Sequence, residues 1–108
     1  MGPSRLERLP RERVGERVTV YVAASFRARL LGLAGLREMP PGAVLLIPRC
    51  SSVHTFGMRF PIHVVFLDDA FEVIGQRRAV KPGRFVRHRG ARAVVEFQAG
   101  EPTRLDNR

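Results

Sequence analysis

Residues 62–74 read Ile-His-Val-Val-Phe-Leu-Asp-Asp-Ala-Phe-Glu-Val-Ile, and this stretch decides the fold. Ile62–Leu67 is an apolar run of a length that fits a buried strand. Asp68, Asp69 and Ala70 then supply a polar turn, after which residues 71–74 return to mostly apolar side chains. Two such segments around a short polar turn predict a β-hairpin.

Three further segments have the composition of strands. These segments are rich in β-branched or aromatic residues or are continuously apolar. They are Val18–Val22, residues 43–47, which lie between Gly42 and Pro48, and residues 91–97. Together with the hairpin they predict one apolar core. We expect six side chains to be buried in it: Leu45, Ile47, Val64, Phe66, Val73 and Val95.

A short helix is expected to begin after Ser25, whose hydroxyl can accept from the free N–H groups of a first turn. Apolar side chains follow at helical spacing, at Phe26, Leu30 and Leu33. The Pro-Pro-Gly sequence at residues 40–42 prevents the helix from continuing. The fold class predicted is α+β: a small, mostly antiparallel, partly closed sheet or barrel, with one short helix near the N-terminus.

The chain has 108 residues, of which 44% are hydrophobic, enough for one compact core. Residues 1–17 are charged and show little periodicity, so they are expected to form a loosely held arm, with residues 18–108 as the globular domain. No apolar stretch is long enough to span a membrane and no signal-peptide pattern is present, which predicts a cytoplasmic protein. Cys50 is the single cysteine and cannot form an internal disulfide.

The formal net charge is +9, and most of the excess lies in one block without a single acidic residue. This block spans residues 77–92 and contains seven cations: Arg77, Arg78, Lys81, Arg84, Arg87, Arg89 and Arg92. As an exposed loop it would bind polyanions weakly and without sequence preference, since Phe85 is the one ring within it that can stack on a base. Because 18 of the 19 cations in the chain are arginine, a GC-rich genome is an equally good explanation of the excess.

Residues 50–61 hold the densest group of reactive side chains. If the segment is extended, Cys50, His54 and Met58 share one face with Phe56 and Phe60, and Val53, Thr55 and Arg59 share the other. Thiolate, imidazole and thioether suit Cu(I). However, an extended chain from Cys50 to Met58 spans about 26 Å, too far for one ion unless the chain folds back, and the prediction is that no metal is bound.

No catalytic set is apparent. Cys50 with His54 would need a third group to orient the imidazole and donors for an oxyanion, and neither can be identified. His63 lies within an apolar run, where a backbone group usually satisfies a lone histidine. Neither a phosphate-binding loop nor paired zinc ligands nor a nucleophile elbow occurs. The sequence therefore predicts no catalytic residue and no cofactor.

Arg59 is a cation beside a predicted core strand. It could bind an anionic group through its two guanidinium donors, or it could pair with Asp68 or Glu96 inside the fold. The structural pair is the favoured interpretation.

Several short motifs carry a family resemblance: residues 29–33 (Arg-Leu-Leu-Gly-Leu), residues 53–62 (Val-His-Thr-Phe-Gly-Met-Arg-Phe-Pro-Ile), residues 64–68 (Val-Val-Phe-Leu-Asp) and residues 94–96 with Ala99-Gly100. Over about residues 20–100 the chain resembles the domain-of-unknown-function-192 family, a small bacterial and archaeal domain. The resemblance implies a small β-rich domain with a helix near its N-terminus and supplies no established activity, substrate or cofactor.

Two departures from the family pattern matter. His63 stands where relatives usually have Asp, which weakens any hypothesis of a carboxylate that binds metal or acts as a base there. The chain ends at Arg108, where relatives continue into a last strand, so the sequence favours either a homodimer through the open sheet edge or a terminal arm that covers that edge.

The leading functional hypothesis is a non-enzymatic binding or accessory domain for a protein or a small anionic ligand, with contacts centred on residues 54–61 and 77–92. The candidate contact residues are His54, Met58, Arg59, His63, Arg84, Arg87 and Arg89. One alternative is a nonspecific nucleic-acid or anionic-surface binder. Another is an enzyme or small-ligand site at a barrel mouth that uses Arg59, His54 and His63.

Overall fold

The apolar runs of the sequence become strands in the computed structural model, which describes residues 6–25 and 33–100. The described residues form eight strands: β1 (Arg11–Val14), β2 (Val18–Val22), β3 (Ala43–Pro48), β4 (Ser52–His54), β5 (Ile62–Leu67), β6 (Val73–Val80), β7 (Phe85–Arg87) and β8 (Ala93–Gln98). Leu6–Arg8 form one turn of 3-10 helix. No helix among these residues is long and apolar enough to cross a bilayer.

Six strands form one sheet in the order β1-β2-β3-β8-β5-β6, and β4 pairs with β7 in a separate two-stranded ribbon. The pairing of β2 with β3 is parallel, whereas every other pairing among the described strands is antiparallel. The sheet is therefore mixed. It is also open, because β1 and β6 are its two edges, so the prediction of a partly closed barrel is not confirmed.

The fold is mostly β across the described residues, where the 3-10 turn is the one helical element. This corrects the expected α+β class. The predicted helix itself falls mainly on residues 26–32, which lie outside the described residues. Ser25, its expected cap, lies in a bend.

The β5–β6 hairpin is confirmed. Its polar turn is closed by Asp68, whose carboxylate oxygen Oδ1 accepts hydrogen bonds from the backbone N–H groups of Ala70 and Glu72, each at 2.9 Å. A short acidic side chain that bonds its own turn in this way is the reason such residues favour turns.

The N-terminal segment is held more firmly than its composition predicted. β1 pairs with β2, and the side chain of Leu6 is 3% exposed within the core. The guanidinium carbon of Arg11 lies 5.8 Å from the centre of the Tyr21 ring. Strand pairing therefore includes Arg11–Val14, all of which are exposed, and Leu6 is the one buried residue between residues 6 and 14. The boundary between arm and domain stays a prediction.

Four of the six predicted core residues are buried: Leu45, Ile47, Val64 and Phe66. Val95 is only half-buried, and Val73 is 62% exposed. The prediction is wrong for Val73 because this residue begins an edge strand. It is half right for Val95 because the neighbouring residue, Glu96, takes the inward position on β8.

The basic block is only partly a loop. Residues 77–80 are the end of β6, and Phe85–Arg87 form β7. All seven of its cations are exposed. Strand β8 lies in the middle of the sheet between β3 and β5, and β1 and β6 are the two edges among the described strands. A homodimer through an open edge, or a terminal arm that covers one, stays a prediction.

Candidate functional site

The β4–β7 ribbon joins the two regions that the sequence singled out. In its register His54 lies opposite Phe85 and Ser52 opposite Arg87. Val53 and Val86, the central pair, are buried in the core. Because side chains alternate along a strand, the four flanking residues are on the outer face of the ribbon.

Two large rings are exposed at this face. Phe56 is 56% exposed and Phe85 is 61% exposed. The rings of His54 and Phe56 have centroids 5.6 Å apart, and the backbone N–H of Phe56 donates to Nδ1 of His54 at 3.2 Å. His54 is thus the common neighbour of both phenylalanines, through a ring contact on one side and through the strand register on the other.

Thr55 fixes the end of the ribbon. Its side chain is completely buried, and its hydroxyl donates to the carbonyl of Lys81 and accepts from the N–H of Arg84, both at 2.7 Å. Its backbone N–H donates to the carbonyl of Arg84, and its carbonyl accepts from the N–H of Gly83. The turn at residues 81–84 is therefore tied directly to the turn that carries Phe56.

Several cations lie close to Phe85 along the chain. Arg87 shares the outer face of β7 with Phe85, since the two alternate about buried Val86. Lys81 and Arg84 lie in the turn held by Thr55, and both are exposed. No acidic residue occurs between residues 77 and 92 to neutralise them. The outer face therefore combines exposed aromatic surface with positive charge.

The expected alternation along residues 50–60 is wrong beyond β4. Val53, Thr55, Met58 and Phe60 are all buried, whereas Phe56 is exposed. The chain turns at Gly57, whose φ of 81° is in the left-handed region that glycine adopts most easily. Met58, one of the predicted contact residues, is thus a core residue.

Arg59 does not form the structural pair that the sequence favoured. It is exposed, whereas Oε1 of Glu96 is buried and accepts no hydrogen bond. Asp68, the other expected partner, uses its carboxylate in the β5–β6 turn. The positive charge of Arg59 therefore belongs to the surface of the protein.

His63 lies apart from the ribbon. It alternates along β5 with Ile62 and Val64, which are buried on the face that packs against β4 and β7, so His63 is on the opposite face of the large sheet. Its Nδ1 accepts from the N–H of Ala79 at 3.1 Å, and its ring lies 5.2 Å from that of Phe97. The three residues proposed for a barrel-mouth site do not converge.

Cys50 is half-buried, and its thiol donates to the carbonyl of Ser52 at 3.0 Å. Within residues 6–25 and 33–100, no group of three or more His, Cys, Asp or Glu side chains could hold a metal ion. An open cavity of about 610 Å³ has Cys50 in its wall together with Arg49, Ser51, Asp69, Ala91 and Arg92. None of the predicted contact residues lines this cavity.

The sequence suggested Glu96 only as a possible partner of Arg59, and its deep burial was not predicted. It lies on β8 between Leu45 and Val64, both completely buried, and is itself 1% exposed. Burial raises the pKa of its carboxyl from 4.5 to about 7. The available signal was a glutamate within an otherwise apolar strand sequence, Val-Val-Glu-Phe at residues 94–97.

A family model matches residues 9–106: that of DUF192, described as an uncharacterised ACR. Two solved structures have a similar fold. One is a proposed transcription regulator from Sinorhizobium meliloti 1021, with TM-score 0.71 and 21% identity over 77% of this chain and 70% of that one. The other is a protein of unknown function from Novosphingobium aromaticivorans DSM 12444, with TM-score 0.68 and 15% identity over 83% of this chain and 71% of that one. Among curated proteins, none matches this chain.

Proposed function

We propose that this chain, which belongs to the uncharacterised DUF192 family, is a non-enzymatic binding domain that takes up an anionic partner on the outer face of its β4–β7 ribbon. One observation carries the proposal. The pairing of His54 with Phe85 places the turn region of residues 54–57 beside the basic block of residues 77–92. Two features that are separate in the sequence thereby become one surface.

Charge favours an anionic partner. Every cation of the basic block is exposed, and clustered arginines attract any polyanion because binding releases condensed counterions. Arginine also binds phosphate or carboxylate through two parallel hydrogen bonds, which makes it effective at such a surface. A surface of this kind selects for charge and shape and needs no reacting group.

The proposed contact residues are five of those expected from the sequence together with the two exposed rings: His54, Arg59, Arg84, Arg87, Arg89, Phe56 and Phe85. Met58 is omitted because it is buried in the core. His63 is omitted because it lies on the far face of the large sheet. A catalytic site that combines His54, Arg59 and His63 is not proposed, since these residues do not face one another.

The proposal is tested by binding to heparin between about 50 and 200 mM salt. A variant with Arg84, Arg87 and Arg89 changed to Gln should bind more weakly and show a shallower salt dependence, because each lost anionic contact lowers the slope by about one. A variant with Arg13, Arg17 and Arg37 changed to Gln removes the same charge from exposed sites elsewhere and should bind almost as the unmodified protein does. Equal losses in the two variants would contradict a localised surface.

A further inference from the structure

We infer that the anionic partner is a single-stranded nucleic acid, whose phosphates contact the ribbon arginines while its bases stack on Phe56 and Phe85. This inference rests on the proposed function and adds the chemical class of the ligand. The inference depends on the exposed rings, because a polyanion that has no bases would make no stacking contact with them.

The exposure of the rings is the first step. Phe56 and Phe85 each leave more than half of their surface in water, while Val53 and Val86 beside them are buried. Neighbouring Val53 and Val86 take the inward positions, so the register of the ribbon forces Phe85 outward. A flat ring held outward among cations offers its face to another flat group, and every nucleobase has such a face.

The second step is that the surface is already assembled. Thr55 joins the turn bearing Phe56 to the turn that leads into Phe85 through four hydrogen bonds involving Gly83, Arg84 and Lys81. The tilted contact between His54 and Phe56 further restrains the Phe56 ring. A preformed surface loses less conformational entropy on binding than a mobile one does.

The third step concerns the strandedness of the nucleic acid. In a duplex the base faces are stacked on each other, so exposed protein rings gain nothing from them. Unpaired bases can turn outward and stack on aromatic side chains while the backbone follows the cations. The combination of rings with cations therefore favours a single strand.

An anionic membrane is the other partner that exposed rings and arginines can suit. The ribbon favours it less, because the turn before β7 reads Lys-Pro-Gly-Arg at residues 81–84 and adds no large apolar side chain to the two rings. Phe56 and Phe85 are then the two large apolar side chains that this surface could insert, which is a small apolar area for binding a bilayer.

The test compares two labelled oligomers of equal charge by fluorescence anisotropy at about 100 mM salt. One is a thymidine oligomer of about 12 nucleotides, and the other is an abasic oligomer of the same length. The full chain should bind the thymidine oligomer at least about tenfold more tightly, since each stacked ring contributes roughly 5- to 150-fold. A duplex of the same length should bind no better than the abasic oligomer does.

Substitutions at Phe56 and Phe85 test whether these two rings cause the preference for the thymidine oligomer. Changing Phe56 and Phe85 to Leu should remove the preference for the thymidine oligomer and leave binding of the abasic oligomer unchanged. Changing both to Tyr keeps the rings and should keep the preference. Phe71→Leu is the matched control, because Phe71 is 63% exposed and lies in the β5–β6 turn, which is not part of the ribbon.

Each contrary result has a distinct meaning. Equal affinity for the two oligomers overturns the stacking inference and leaves the proposed anionic surface intact. Failure to bind either oligomer or heparin overturns both. Binding to vesicles of phosphatidylcholine with phosphatidylserine, without a preference for the thymidine oligomer, replaces the nucleic acid with a membrane surface.

Discussion

Phe85 lies directly opposite His54 in the antiparallel pairing of β4 with β7. Nothing in the sequence around either residue indicates that the two are paired. The pairing buries Val53 against Val86 and turns the polar and aromatic residues outward. Because the valines fill the core, His54 and Phe85 are placed on the outer face of the ribbon.

Thr55 is expected to control the shape of this face. Thr55→Val removes the hydroxyl that bonds the carbonyl of Lys81 and the N–H of Arg84, and it leaves these part-buried groups without that partner. We expect a loss of about 1–3 kcal/mol in the free energy of unfolding, together with weaker heparin binding. Thr19→Val makes the same chemical change on β2 at a half-buried site and should alter neither. Equal effects of the two substitutions in denaturant titrations would contradict this role.

The core depends on Phe66 and not on Val73. Phe66→Ala should destabilise the fold by about 3–5 kcal/mol, because it empties a completely buried position on a central strand. Val73→Ala should change stability by less than about 0.5 kcal/mol, since Val73 is exposed at the sheet edge. Urea unfolding of both variants measures the difference, and a loss below about 1 kcal/mol for Phe66→Ala would mean that β5 is not central.

Gly75 leaves room for the ring of His88. A methyl group at this position would overlap that ring, which also contacts Phe66 at a centroid distance of 5.4 Å. Gly75→Ala should therefore cost about 1–3 kcal/mol through overpacking. In a His88→Ala background the same substitution should cost much less, so a double-mutant cycle isolates the steric effect. Additive losses would show that the overlap is not its cause.

Glu96 should make stability depend on pH. Its pKa is about 7 in the folded protein against 4.5 for an unperturbed carboxyl, so the folded state binds the proton more tightly than the unfolded state does. The stabilising contribution is complete below about pH 4.5 and is lost as the pH rises through about 7, by an amount on the order of 3 kcal/mol.

Glu96→Gln removes the titrating group and should flatten the pH dependence between those values. The measurement is the free energy of unfolding of both proteins from pH 4 to pH 8. A difference between the two proteins that stays constant over this range would contradict the role of Glu96.

Much of the sheet could be predicted from the sequence. The hairpin of β5 and β6 follows from two apolar runs around Asp68, and β2 and β3 begin where the sequence indicates. Local periodicity and turn chemistry suffice for these elements, since both act over a few residues.

The orientation of β8 could not be predicted. Residues 93–95 are continuously apolar, so the pattern does not say which face meets the core, and a shift of one residue exchanges the two faces. Val95 was expected inside, and Glu96 occupies that position. Only the pairing of β8 with both β3 and β5 decides between the two faces.

The candidate surface could be predicted as two parts but not as a whole. The basic block and residues 54–61 were both evident from composition. Their meeting depends on the pairing of β4 with β7, two strands of three residues each that are far apart in the chain. The alternation of side chains expected along residues 50–60 ends at Gly57, because the chain turns there and Met58 is buried in the core.

The most direct test of the account maps the contact surface by amide chemical-shift changes as the unlabelled thymidine oligomer is added to ¹⁵N-labelled protein. The largest changes are expected at residues 52–57 and 81–87, which form the ribbon and its turns. Largest changes around His63 and Phe97 on the far face of the large sheet, or along β1 and β2, would contradict it.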